Sequence, residues 1–238
     1  MIRLVDLNLP LDHSTDALEN LILRRLGISA SKLLNHRIIK RSIDARNQEK
    51  IQLIYSVDVA VKGEGFLLNR CSNKRNIAQA PDTQYRFVAK APKGFPEQVE
   101  LRPVVVGAGP CGYFAALILA QMGFRPLLLE QGKPVKERTL ETFAFWKGLS
   151  PFNAESNVQF GEGGAGTFSD GKLYSQISDP EHYGRKVLEE LVFSGANSEI
   201  LTAYRPHIGT FKLATVVRGL RTRIESLGGE IRFEKKMD

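Results

Sequence analysis

Three glycines, Gly107, Gly109 and Gly112, follow the β-branched run Val104, Val105, Val106 in GxGxxG spacing and open an apolar segment of helical character. That arrangement suits a dinucleotide pyrophosphate. Gly107 permits a tight strand-to-helix turn, Gly109 lets the backbone approach the phosphates, and Gly112 allows helix and strand to pack closely. Pro110 and Cys111 complete the turn, and the helix N-terminus offers amides and a partial positive charge to an anion. A second apolar strand over residues 127–129 ends at Glu130, where a carboxylate can accept both ribose hydroxyls of the adenosine half. Gln131 follows it, and Lys133, Lys136 and Arg138 come soon enough that one could reach phosphate or adenine; a solvated loop is the alternative. A small residue, Ala116, lies four positions past Gly112. The competing reading is a glycine-rich turn in an unrelated α/β domain.

A second glycine cluster, FGEGGAGTFSDGKL over residues 160–173, holds Gly161, Gly163, Gly164, Gly166 and Gly171. Such a loop presents many backbone amides and admits a flat or phosphorylated ligand. Thr167 and Ser169 add hydroxyls and Lys172 a charge, while Phe160, Phe168 and Leu173 can anchor the loop. No GK[ST] follows a strand here, so a P-loop is excluded. His207, in RPHIGT over residues 205–210, is a candidate acid or base, with a hydrogen-bonded structural role as its alternative. Cys111 at a helix N-terminus would have a favoured thiolate, or would simply fill a small hole. The four histidines show no metal spacing, and no catalytic residue can be assigned.

The elements that must position these groups read as follows. Residues 2–9 alternate weakly as a strand, and a helix runs to about Leu26, with Asp16 and Glu19 spaced as a capping box. Leu18, Leu21, Ile22 and Leu26 give that helix one apolar face, and Gly27 ends it. Residues 31–34 suit another helical turn. Residues 37–45 and 51–61 read as paired strands, the second alternating from Ile51 to Val61. Residues 71–76 look like a loop and residues 85–89 like a last strand. Together these form a small α+β domain over residues 1–95, followed by a proline-rich linker over residues 91–103. The second domain, residues 96–238, is read as α/β. Its later elements are a helix over residues 181–193, an amphipathic helix capped by Thr210, and a third parallel strand over residues 230–235. Trp146, the only tryptophan, is expected in core or interface packing.

Composition is that of an ordinary globular protein, with 42% hydrophobic and 25% charged residues. The most apolar helix, residues 113–122, is too short to span a bilayer. No secretory pattern marks the first ten residues, and two distant cysteines suggest a reducing compartment; the cytoplasm is the expectation. Of the formal net charge of +7, the first hundred residues carry most, with 16 Lys and Arg against 11 Asp and Glu. A basic module can meet nucleic acid, and Lys40, Arg41 and Arg46 cluster with Asp44, yet the aromatic interleaving of a single-strand platform is missing. A solvated surface is the plainer reading.

The segment VVVGAGPCGYFAALILAQMGFRPLLLE resembles the FAD-binding βαβ unit of glutathione-reductase-class flavoproteins. FGEGGAGTFSDGKL and RPHIGT are similar to the bacterial family of FAD-dependent dehydrogenases, also called NAD(P)/FAD-dependent oxidoreductases. LPLDHS and KRSIDAR, near the start, are similar to that family's extra N-terminal domain. The resemblance implies a Rossmann-like FAD-binding parallel sheet behind a small α+β domain. It implies FAD as cofactor, with Gly107, Gly109 and Gly112 at the pyrophosphate, Glu130 at the ribose, and residues 161–172, including Gly163, Gly164, Thr167, Ser169 and Lys172, near the flavin. NAD(P)H is the expected electron partner. Phe211 and Cys111 depart from the family pattern. Members are roughly twice as long, in keeping with two-domain flavoproteins, so the sheet is expected to be incomplete and the chain to be a truncated N-terminal part. Two other functions stand beside this one: RNA binding or modification through the basic domain, and an NAD-dependent dehydrogenase. With no CxxC, disulfide reductase chemistry of the usual kind is not expected.

Overall fold

The computed structural model describes residues 1–95, 101–175 and 177–237. These form two compact units: residues 1–83 with 201–206, and residues 84–200 with 207–238, of which Asp238 lies outside the described residues.

In the first unit, strand β1 (Ile2–Pro10) turns Ile2, Leu4, Leu7 and Leu9 into the core. The weak alternation has a physical cause: an irregularity between Leu4 and Leu7 inserts a residue and resets the face. Helix α1 (Ala17–Leu26) buries Leu18, Ile22 and Leu26 at i, i+4, i+8 and is closed by Gly27. Asp16 sits at the N-cap with helical dihedrals and makes no side-chain cap hydrogen bond, so the expected capping box is not formed. A single turn of 3-10 helix (Ala30–Lys32) leads into β2 (Leu33–Asp44), which starts four residues earlier than the sequence indicated. Next come β3 (Gln52–Val61), α2 (Glu64–Arg70) and β4 (Ile77–Gln79). The sheet order is β2-β3-β1-β4, with antiparallel pairing throughout. This βαββαβ order interleaves two split βαβ units. Segment 201–206 continues the β2 edge, where the Arg41 amide donates to Thr202 O at 2.7 Å and the Tyr204 amide to Arg41 O at 3.1 Å.

The second unit is a parallel sheet, order β5-β6-β7, from β5 (Val104–Val106), β6 (Leu127–Leu129) and β7 (Glu230–Arg232). Helix α3 (Pro110–Gln121) crosses from β5 to β6, and α6 (Thr210–Ser226) precedes β7. Between them lie α4 (Val135–Trp146) and α5 (Tyr183–Phe193). Core residues include Tyr113, Ala116, Leu117, Leu128, Leu191, Val216, Leu220 and Ile224. Glu190, 6% exposed, joins three helices: it accepts from Gln121 Nε2 on α3 (2.8 Å), Lys186 Nζ on α5 (2.6 Å) and Arg223 Nε on α6 (3.0 Å).

Four expectations are corrected. Residues 85–89 are not a strand: β4 takes the β1 edge instead, while Tyr85 and Phe87 meet edge-on at 5.2 Å and lie near Lys186 of α5. Residues 84–95 accordingly belong to the second unit, where the Ala91 amide donates to Met122 O and Phe95 meets Phe124. Of the expected linker over residues 91–103, residues 96–100 lie outside the described residues. Residues 135–141 are helical, since Val135, Arg138 and Thr142 form one buried face. Thr210 is the first residue of α6 and not its cap; Gly209 takes that position because its amide is tied to Asp170 O at 3.0 Å.

Candidate functional site

At the end of β5 the chain turns through Gly107, whose φ of 93° only glycine adopts without strain. Gly112 is required for a different reason: a Cβ there would lie 1.8 Å from Gly107 O. At Gly109, by contrast, an added Cβ would meet nothing within 4 Å, and φ is an ordinary −73°. The fold therefore demands glycine at 107 and 112 and leaves open space at 109. The first bond within α3 runs from the Tyr113 amide to Gly109 O at 3.0 Å, so the helix offers no carbonyl to the amides of Gly109, Cys111 and Gly112. Pro110, at the first helical position, has no N–H to satisfy. An anion placed here would meet donors and the positive end of the helix dipole.

Glu130, 5% exposed, braces this turn. One carboxylate oxygen accepts the Ala108 amide at 2.7 Å, and the other accepts the Gly132 amide at 2.8 Å. Each oxygen keeps a second lone pair, so bracing and ribose binding are compatible.

The glycine cluster comes to the same place. The Gly163 amide donates to Ala108 O at 2.8 Å, and a Cβ on Gly164 would stand 3.4 Å from Gly109 Cα. The RPHIGT segment joins it from behind: Ile208 and Gly209 amides donate to Gly171 O and Asp170 O, both at 3.0 Å, and Lys172 bridges His207 through the backbone. Ser169 donates to Gly166 O and accepts from the Gly171 amide; exposed Lys172 pairs with Asp170 at 3.1 Å. Gly163, Gly164, Ser169 and Lys172 thus cluster beside Gly109, Pro110 and Cys111. Gln131 is half-buried and His207 exposed. A cavity of about 400 Å³ opens here, with Cys111, Gly163, Ser169 and Lys172 on its wall and apolar side chains such as Phe114, Leu191 and Val216 behind them.

Arg138 and Thr167 do not face this space. Arg138 is fully buried, and its guanidinium donates to the carbonyls of Asn157 (2.7 Å), Val158 (2.7 Å), Glu162 (2.7 Å) and Gly164 (2.9 Å). Burial pulls its pKa down to about 10, against the opposing pull of the Glu130 and Glu162 carboxylates. It clamps the glycine loop through these carbonyls. Thr167 Oγ1 is likewise turned inward, onto Glu162 O at 3.2 Å.

Sequence reading missed Glu162. Fully buried, its carboxylate accepts Tyr113 OH at 2.6 Å and the Val135 amide at 2.5 Å, with Arg221 Nε 3.5 Å away. It ties the loop to α3 and α4. Burial, and then the Glu162 charge, push the Tyr113 phenol far above its usual pKa. The available signal was an acid set between glycines in an otherwise chargeless run, GEGG.

In the first unit a few charges pair with one another. Buried Asp58, on β3, accepts from Arg3 (2.7 Å) and Arg37 (3.0 Å), and Asp44 pairs with Arg46 at 2.6 Å. Lys40 sits 4.1 Å over the Tyr204 ring. The one aromatic residue on β1 and β3, Tyr55, is in the core, so the sheet lacks the central rings on which RNA bases stack. Among the described residues no three His, Cys, Asp or Glu side chains group as metal ligands, and no helix is long and apolar enough to cross a membrane.

Residues 1–60 match the model of a domain of unknown function, DUF8436. An uncharacterized protein of Clostridium beijerinckii (strain ATCC 51743 / NCIMB 8052) is 43% identical to this chain over 239 residues, covering all of it. The chain spans 43% of that curated relative's length.

Proposed function

We propose that the second unit is a Rossmann-like FAD-binding unit and that the protein is an FAD-dependent oxidoreductase with a reduced nicotinamide as electron partner. The observation that carries this reading is the contrast within the turn: Gly112 is demanded by the fold, whereas Gly109 faces open space beside the Gly163–Gly164 backbone. A cradle that an added Cβ would fill, ringed by amides, suits a pyrophosphate. Gly107, Gly109, Cys111 and Gly112 would hold the diphosphate, and Glu130 the adenosine ribose. Gly163, Gly164, Ser169 and Lys172 would line the approach to the ring system. Bound FAD supplies hydride and single-electron transfer, and the protein supplies binding and orientation. Arg138 and Glu162 act at one remove, by holding the glycine loop against the turn. A carboxylate at position 130 favours an unphosphorylated ribose, which argues against NADP in this site.

The test is a visible absorption spectrum of the purified chain before and after addition of FAD and desalting. Flavin bands near roughly 450 nm that survive desalting are expected. Retention of NAD in place of FAD would make the protein a plain dehydrogenase. Failure of both to bind, here and in a full-length homologue, would remove the proposal.

A further inference from the structure

The cavity of about 400 Å³ beside the glycine turn is walled by three helices as well as by the turn. Helix α6 contributes Leu213, Val216 and Leu220 at i, i+3 and i+7, which is one helical face. Helix α5 adds Val187 and Leu191 at i and i+4, and α3 adds Phe114. Val216, Leu220 and Leu191 are buried and belong to the core of the unit, while Phe114, Val187 and Leu213 are half-buried. The wall is thus concave, mostly branched aliphatic, and continuous with the interior. Its volume is that of a small-molecule site.

The second observation is how little hydrogen-bonding capacity this wall offers. Of the side chains that line it, only Tyr113, Ser169 and Lys172 carry an oxygen or nitrogen. Tyr113 OH is spent on Glu162 at 2.6 Å. Ser169 Oγ donates to Gly166 O at 2.7 Å and accepts the Gly171 amide at 3.1 Å. Exposed Lys172 is paired with Asp170 at 3.1 Å, which cancels its charge, yet an ammonium has three donors and can serve a further acceptor. A ligand with polar groups along its body would give up hydrogen bonds to water and find none here, a cost that an aliphatic body avoids.

We propose that this cavity holds an uncharged aliphatic chain with one terminal oxygen directed to Lys172, and that this is the substrate class of the oxidoreductase. The assignment as substrate rests on FAD at the neighbouring turn; the binding itself does not.

Cofactor-free protein is titrated by calorimetry with hexanol, octanol, decanol, octanediol and decanoate. Binding of one alkanol per chain is expected, tightening about fourfold with each added methylene until the cavity is full. Octanediol should bind at least about tenfold more weakly than octanol, because its second hydroxyl has no partner. Decanoate, which would meet Asp170, should bind more weakly than decanol. Val187→Trp and Leu213→Trp fill the space from different helices, and each should abolish binding at an unchanged melting temperature; if one does not fold, the other gives the result. Uptake without saturation, equal binding of octanol and octanediol, tighter binding of decanoate, or unaltered binding in a folded filling variant would overturn the proposal. FAD retention is read separately, from the absorption spectrum. Alkanol binding without flavin would uphold the site and overturn its assignment to a flavoenzyme substrate, whereas flavin without alkanol binding would overturn this inference alone.

Discussion

Gly109 and Gly112 separate what the fold needs from what a ligand needs. Gly112→Ala drives a Cβ into Gly107 O and should displace the turn. A loss of about 2 kcal/mol, of the order seen for overpacked sites, is expected in urea unfolding. Gly109→Ala has space and an unstrained φ, so its stability should stay within about 0.5 kcal/mol of the parent. The same variant should nevertheless lower FAD retention at least tenfold, measured by flavin fluorescence after gel filtration. Equal retention in the two proteins would show that nothing approaches Gly109. Arg138 makes the complementary point. Truncating it leaves several buried carbonyls without donors, so Arg138→Ala should cost about 3 kcal/mol or more by chemical denaturation.

Among the elements, the pairing of β1, β2 and β3 through Asp58 depends on pH. Burial opposes ionisation of Asp58, but hydrogen bonds from Arg3 and Arg37 outweigh it and hold the carboxyl below its usual range. The folded state therefore binds fewer protons than the unfolded one. The resulting stability is present above the unfolded value of about 3.9 and is lost as pH falls through the lower folded value. Melting of the first unit should weaken progressively below about pH 4, and Asp58→Asn should flatten that dependence while lowering stability at pH 7 by about 2 kcal/mol. A parallel acid profile in the variant would assign the effect elsewhere. Helices α3, α5 and α6 share a similar dependence on Glu190, held below its usual range against burial by Lys186 and Gln121.

For the whole molecule, two units with separate cores allow two unfolding events. Ligand binding stabilises only the unit that binds, by RT ln(1 + [L]/Kd). FAD at a hundredfold excess over its Kd should raise the transition of the second unit by about 2.7 kcal/mol and leave the first unchanged. Asp58→Asn should do the reverse. Differential scanning calorimetry of parent and variant, each with and without FAD, makes the comparison. An FAD-dependent shift confined to the first unit would contradict the assignment of the site.

Local chemistry determined much of this protein from the chain alone. Gly107, Gly109 and Gly112, a β-branched run before them and Glu130 after them specify a strand, a turn and a helix, because backbone dihedrals and small-residue contacts act over a few residues. The face of α1 and the alternation of β3 were legible because periodicity records which side is buried, and the helix expected over residues 181–193 is found over 183–193. Tertiary structure decided what periodicity does not carry. It paired β4 and not residues 85–89 with β1, because an edge strand takes whichever segment the chain returns to it. It moved Arg138 from a ligand contact to a buried clamp, and gave Glu162 and Asp58 their partners, because a charge is affordable inside only where distant donors and acceptors converge. Those partners lie 19 to 55 residues away for the bonds that matter most, and no local pattern announces them.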